Sequence, residues 1–162
     1  MPKYRPNVGI VVFNKDKRVL LCRRQKNSSA TAWQFPQGGI EEGENPLDAG
    51  TRELKEETSV VSVRFVAQIK KHLRYNFPKE LILKNKDKGY PDYVGQEQSW
   101  LLFYFYGNDE EINVLTQEQE FSQYKWATMQ EAVDSVWIVK KNVYKKVRAA
   151  FEPLIEKFIV ER

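Results

Sequence analysis

An α/β or α+β fold is predicted for this chain from two kinds of apolar pattern and from the absence of any break between them. Short β-branched and aromatic runs occur at 8–13, 18–24, 60–76, 99–106 and 121–127, as expected of strands. Helical periodicity occurs after Pro46 and again across 138–159. No repeat, low-complexity tract or composition shift divides the sequence, so residues 1–162 are expected to form a single domain around one core.

In order, residues 8–13 and 18–24 read as a hairpin, because Asn14-Lys15-Asp16-Lys17 between them has turn chemistry. Residues 25–32 form a polar, small-residue loop leading to Trp33-Gln34-Phe35-Pro36-Gln37-Gly38-Gly39. Pro46 suits the first turn of a helix, where its missing N–H costs nothing. Leu47, Gly50 and Leu54 give that helix an inner stripe opposite much of its acidic face. Residues 60–76 should supply at least one strand, and 78–95 a long, lysine-bearing functional loop. The run Trp100-Leu101-Leu102-Phe103-Tyr104-Phe105 predicts a strand buried on both faces. Thr128-Met129-Gln130-Glu131 is a capping box. The last helix carries Val139, Val143, Val147, Phe151, Leu154 and Phe158 at helical spacing, and Pro153 is expected to kink, end or divide it.

Composition is that of an ordinary globular protein, 41% hydrophobic and 30% charged. No apolar run is long enough to span a bilayer, and the first residues lack the apolar core of a signal peptide. Cys22 is the sole cysteine, which excludes an internal disulfide and agrees with a cytoplasmic location. Its apolar surroundings predict an inert buried thiol. The net charge of +4 favours polyanionic partners such as nucleotides or RNA. Acidic residues crowd into 41–57, whereas Lys and Arg dominate 64–88 and 140–148. With His72 the only histidine, a zinc cluster or histidine triad has no second imidazole. No G-x-x-x-x-G-K-[ST] loop is present, which argues against a P-loop NTPase.

The chemistry is concentrated in Arg52-Glu53-Leu54-Lys55-Glu56-Glu57. On a helix, Glu53, Glu56 and Glu57 are i, i+3 and i+4 neighbours and share a face. Carboxylates so crowded repel one another unless a cation lies between them, and hard divalent ions prefer such oxygens. The segment therefore points to metal-assisted phosphate chemistry.

Gly38, Glu44, Arg52-Glu53-Leu54-x-Glu56-Glu57 and Val60, at unbroken spacing over 38–60, resemble the Nudix box, G-x5-E-x7-R-E-U-x-E-E-x-G-U. Ser59 stands where the family usually has glycine, which bears on how the helix ends. The resemblance implies a Nudix-type α/β/α sandwich with a mixed β-sheet, and hydrolysis of a phosphoanhydride by an activated water. It implies Mg2+ or Mn2+ held by Glu53, Glu56 and Glu57, Arg52 orienting a glutamate, and Glu53 or Glu57 taking the water's proton. Glu44 is either a further ligand or an acid at the helix start. Gly38 and Gly39 are expected to permit a tight turn before the helix.

Further segments, among them Tyr4-Arg5-Pro6-Asn7-Val8-Gly9, Gly95-Gln96-x-Gln98-x-Trp100, Glu111-Ile112-Asn113, Glu120-Phe121 and Lys140-Lys141-x-Val143-Tyr144, resemble one Nudix branch. That branch contains bacterial RNA 5′-pyrophosphohydrolases and diadenosine-tetraphosphate hydrolases. It implies Glu120 as a metal ligand from outside the box, and Arg5, Gln37, Gly38, Gly39, Tyr75 and Lys140 as substrate-binding positions. Arg23-Arg24 and Lys70-Lys71 are expected to be solvated in part, and either pair could guide a phosphate chain. Val139 replaces the phenylalanine that commonly stacks a base, and Trp137 is a nearby substitute. Trp33, Trp100 and Trp126 are expected in the core.

The preferred expectation is release of pyrophosphate from 5′-triphosphorylated RNA. The alternative within the same chemistry is asymmetric cleavage of diadenosine tetra- or pentaphosphate to ATP plus AMP or ADP. A non-catalytic nucleotide or RNA sensor is the rival of a different class. A nucleotide polyphosphate or RNA 5′ end is thus the expected partner, without DNA sequence recognition or membrane association.

Overall fold

A computed structural model describes residues 2–24, 32–117 and 119–161. Eight strands form one sheet: β1 (Tyr4–Phe13), β2 (Val19–Arg24), β3 (Trp33–Gln34), β4 (Gln37–Gly39), β5 (Val63–Gln68), β6 (Leu73–Asn76), β7 (Gly95–Phe105) and β8 (Phe121–Ala127). The helices are α1 (Pro46–Thr58), α2 (Lys79–Asp87), α3 (Met129–Ser135) and α4 (Lys141–Glu161). The loop expected at 25–32 lies, but for Ala32, outside the described residues.

The sheet is mixed, as expected. β1 runs parallel to β7 from Tyr4↔Gly95 to Phe13↔Tyr104, and all its other pairings are antiparallel. Alternation along these strands sends side chains to two cores. Val8, Ile10, Val12, Leu20, Leu101 and Phe103 meet Ala49 and Leu54 of α1. Val11, Phe13, Leu21, Trp100, Leu102 and Tyr104 meet Val143, Tyr144, Val147 and Phe151 of α4. The α/β/α sandwich follows from this division. Two glycines permit its close packing: a β-carbon at Gly9 would lie 2.6 Å from the Trp100 ring, and one at Gly50 would overlap Leu101.

The hairpin at 8–24 exists but is brief. Asn14 accepts from the Asp16 and Arg18 N–H groups and holds the turn, yet β1 and β2 pair only at Phe13↔Val19. They then diverge. β2 continues on β8, while the freed edge of β1 takes β4 through Asn7↔Gly39, Val8↔Gly38 and Gly9↔Gln37.

Residues 60–76, expected to supply at least one strand, yield two, β5 and β6. Several other local expectations are corrected. The expected 78–95 loop contains α2. The inner stripe of α1 is Ala49, Gly50 and Leu54 joined by Glu57, while Leu47 is 36% exposed at the rim. One acid of the box therefore faces the core side and not the opposite face. Ser59 closes α1 in the left-handed conformation expected of glycine, at φ 67°, with its N–H on the Lys55 carbonyl and its hydroxyl on that of Asn113. Helix α4, entered through a 3-10 turn at Ile138–Lys140, continues through Pro153. Pro153 and Ala149, four residues before it, are both exposed, so water can satisfy the carbonyl that proline leaves without a donor. Cys22 and Trp100 are fully buried, while Trp33 and Trp126 are partly buried at the core edges.

Tyr144 joins α4 to the segment that carries the site: its hydroxyl accepts from the buried Phe35 N–H at 2.9 Å. Tyr144→Phe leaves that N–H unsatisfied without changing ring packing. It is expected to cost about 1–3 kcal/mol, measured by urea unfolding.

Candidate active site

The divergence of β1 and β2 brings both halves of the candidate site to β4. Its three residues alternate in direction, so Gln37 faces the α4 side and Gly38 the α1 side. A β-carbon at Gly38 would overlap the Glu53 carboxylate, and one at Gly39 would meet the Arg5 guanidinium. This corrects the reason for the two glycines: the tight turn falls at Gly43, with φ 79°, whereas Gly38 and Gly39 make room for the Glu53 and Arg5 side chains.

On the α1 side, Arg52 organises the acids. Its Nε and Nη2 donate to the two oxygens of Glu44 at 2.8 and 2.9 Å, and Nη2 also donates to the Gly39 carbonyl at 3.0 Å. Nη1 donates to Glu53 at 3.0 Å and Glu56 at 3.3 Å. The hydrogen bonds from Arg52, with one from the Glu41 N–H, lower the Glu44 pKa to about 2. Glu44 is thereby committed to Arg52 and fixes the entry to α1, whose Asn45 cap accepts from the Asp48 N–H. Burial raises the Glu53 pKa against the opposing pull of Arg52.

Glu57 is different. It is 7% exposed, accepts a bond from the Gln37 backbone N–H, and leaves Oε2 without a partner among the described residues. Burial, then the charges of Glu53 and Glu120, raise its pKa to about 9. Glu120 enters from the start of β8 and pairs with Arg24 at 3.2 Å, while Glu56 is exposed. Among the described residues no three acidic side chains are arranged to hold a metal ion as they stand. Arg52 draws Glu53 and Glu56 to one side and Arg24 draws Glu120 to the other. The residues nevertheless fit a hard divalent cation: Glu57 has an unpaired buried carboxylate oxygen, it lies within electrostatic reach of Glu53 and Glu120, and all donors are oxygen.

On the α4 side, the Lys140 Nζ donates to Gln37 Oε1 at 2.9 Å and lies 5.6 Å from the Tyr75 ring centroid. Gln98 Nε2 donates to Asn7 at 2.8 Å and Gln37 at 3.3 Å, and the Tyr75 hydroxyl donates to Gln96 at 2.8 Å. Lys140 is only 5% exposed, and burial followed by the Arg24 charge lowers its pKa to about 7. Tyr75 is 8% exposed, with its pKa pushed above the usual range by burial. Arg5 is exposed and makes no hydrogen bond or ion pair among the described residues, although its charge favours ionised Glu53.

Glu53, Glu57, Gln37 and Lys140 thus form a continuous track, with Glu120 and Arg5 beside it. Glu56 stands at its outer edge. Val139 and Trp137 pack partly buried on the α4-side core, and His72 is an exposed residue beside Glu97. Sequence reasoning assigned no role to Asn7, Gln96 or Gln98. Their signal was polar residues at alternate positions on otherwise apolar strands, which marks one face of a sheet as polar.

The elevated Glu57 pKa has a consequence for metal-free protein. Since the folded state holds this proton more tightly than the unfolded chain, stability is fully present below about pH 4.5 and is lost as pH rises toward about 9. Glu57→Gln is expected to flatten this loss and raise the metal-free melting temperature by several degrees near pH 8, as read by thermal unfolding across pH.

Comparison with known proteins agrees with this geometry. The profile of the NUDIX domain matches residues 3–147. An RNA pyrophosphohydrolase of Bartonella bacilliformis is 42% identical over 165 residues, covering 94% of both chains. Nudix hydrolase 26, chloroplastic, of Arabidopsis thaliana is 42% identical over 151 residues, covering 91% of this chain and 69% of its own. Among solved structures, the dihydroneopterin triphosphate pyrophosphohydrolase of E. coli superposes with a TM-score of 0.68 at 20% identity, over 98% of this chain and 99% of that one. An Ap4A hydrolase of C. elegans gives 0.62 at 16% identity, over 91% and 98%. With the profile spanning most of the sequence and the sandwich shared, this chain belongs to the Nudix hydrolase family.

Proposed function

We propose that this protein hydrolyses phosphoanhydrides with Mg2+ or Mn2+, releasing pyrophosphate from the 5′-triphosphate end of RNA. The observation that carries the chemistry is the Glu57 carboxylate, buried with one oxygen unpaired and within electrostatic reach of Glu53, Glu120 and Lys140. The RNA substrate is drawn from the name borne by the Bartonella bacilliformis relative, whose likeness runs almost end to end.

In this reading Glu53, Glu56, Glu57 and Glu120 hold the metal. When bound it supplies Lewis acidity that offsets phosphate charge and activates water. Arg52 is the positioning residue, since its bonds fix where Glu53 and Glu56 stand. Glu53 or Glu57 takes the proton released by the attacking water. Lys140, Gln37 and Arg5 receive the phosphate oxygens. A phosphate beside Lys140 favours its charged form, so substrate binding itself supplies the cation that burial disfavours. Tyr75 braces Lys140 through its ring and Gln96 through its hydroxyl. A cytoplasmic location belongs to the same reading. Among the described residues no helix is long and apolar enough to cross a membrane.

The test compares kcat/KM on 5′-triphosphorylated RNA, diadenosine tetraphosphate, nucleoside triphosphates and nucleotide sugars, which measures differential transition-state binding. Triphosphorylated RNA is expected to lead, chelation to abolish turnover, and Mg2+ or Mn2+ to restore it. Glu57→Gln should lower kcat by at least about a hundredfold while the fold persists. Tight binding without cleavage of any substrate would overturn the enzymatic reading in favour of a sensor. A lead for diadenosine tetraphosphate would overturn the RNA assignment alone.

A further inference from the structure

Beyond Arg5, on the side away from α1, a cavity of about 460 Å³ lies between β6, β7 and α2. That is large enough for a nucleoside. Its walls are the rings of Phe77, Tyr90 and Tyr93, with Asn85 from α2, and Arg5 and Gln96 at the end nearest the candidate site. The rings are held by backbone as well as by packing: the Phe77 N–H donates to Val94 at 2.8 Å and the Tyr90 N–H to Asn85 at 2.9 Å. Tyr90 is 56% exposed, with Lys88 placed 5.9 Å from its ring centroid. The Asn85 side-chain amide makes no hydrogen bond among the described residues.

Two physical links join this cavity to the phosphate track. Arg5 lines it while sitting against the backbone of Gly39. Phe77 packs edge-on against Tyr75, with ring centroids 5.8 Å apart, and Tyr75 contacts Lys140. A ligand with phosphate on Arg5 and a flat ring beyond it matches both ends. Aromatic faces take any base, an amide can bond a base edge, and Arg5 within the cavity and Lys88 beside Tyr90 favour an anion.

We propose that this cavity is a nucleobase subsite, in which a base of the bound nucleotide stacks on Tyr90 and its companion rings while Arg5 holds the adjoining phosphate. The inference rests on the polyphosphate reading for Arg5 and Lys140, but base stacking here needs no turnover. It differs from the Val139 region, whose side chains belong to the α4-side core.

The test uses the full chain with tyrosine rings isotopically labelled and Tyr90 and Tyr93 assigned by NMR. AMP is expected to shift both rings, whereas ribose 5-phosphate, which lacks the base, is not. Tyr90→Ala should weaken AMP binding about tenfold, and Tyr90→Phe should retain it. On 5′-triphosphorylated RNA, Tyr90→Ala should raise KM with kcat little changed. Equal shifts with ribose 5-phosphate, no shift with AMP, or unchanged AMP affinity in Tyr90→Ala would each overturn the subsite. Base-dependent shifts in a chain that cleaves no phosphoanhydride would leave the subsite standing and remove the proposed reaction.

Discussion

The Arg52 guanidinium is the interaction on which the α1 half of the site depends. A planar fork can serve several carboxylates at fixed angles, which a lysine ammonium cannot do. Here it is bonded to Glu44, Glu53, Glu56 and the Gly39 carbonyl, so one side chain ties α1 to β4 and to the loop before the helix. The arrangement offsets the repulsion expected of acids at this spacing, but only for those within reach. Glu57 lies on the inner side of α1, beyond the fork, and its buried Oε2 is left without a partner among the described residues. The helix is thus stabilised by Arg52 without being neutralised by it. The remaining demand for a partner is concentrated at one buried oxygen.

The other half depends on the parallel register of β1 and β7. Arg5 lies opposite Gln96, Asn7 opposite Gln98 and Gly9 opposite Trp100. Moving along the same face, polar pairs give way at Gly9 to the apolar core beneath α4. The change occurs where Gly9 admits the Trp100 ring, so the base of the site is the end of the hydrophobic core. Gln98 spans that boundary, holding Asn7 below the sheet edge and Gln37 on β4. A one-residue slip would send these polar side chains into the α1 core. Register is therefore enforced by burial on both faces.

The strong strands, the capped helix at Thr128 and the two-sided burial of β7 were legible because each follows from local pattern. So was the acid cluster, since helical spacing alone collects Glu53, Glu56 and Glu57. What local pattern could not reveal was direction. Glu57 is buried because α1 rotates to seat Ala49, Gly50 and Leu54 against β1 and β7, a constraint from residues distant in sequence. The burial of Lys140 arises the same way: a lysine beside a helix start reads as solvated until β6 and β4 close over it. Pro153 shows the opposite limit, for its propensity was read correctly and then overridden by its position on an exposed helix face. The role of Gly38 was misread because a missing β-carbon serves tight turns and close approach equally well. Only the Glu53 carboxylate decides between them.

In the proposed reading, the fold also separates chemistry from recognition by how firmly each is embedded. Glu53, Glu57, Gln37 and Lys140 stand on α1, β4 and the 3-10 turn before α4, elements pinned by the two cores. Their geometry cannot change without disturbing packing, as reaction at a fixed distance requires. α2 has no buried residue, and of the residues that line the cavity beside Arg5 it contributes Asn85. Substitutions there carry little stability cost, because few apolar contacts are lost. The carboxylates remain fixed by the sandwich, while under the proposed subsite the rings at the α2 edge carry recognition of the group beyond the phosphates.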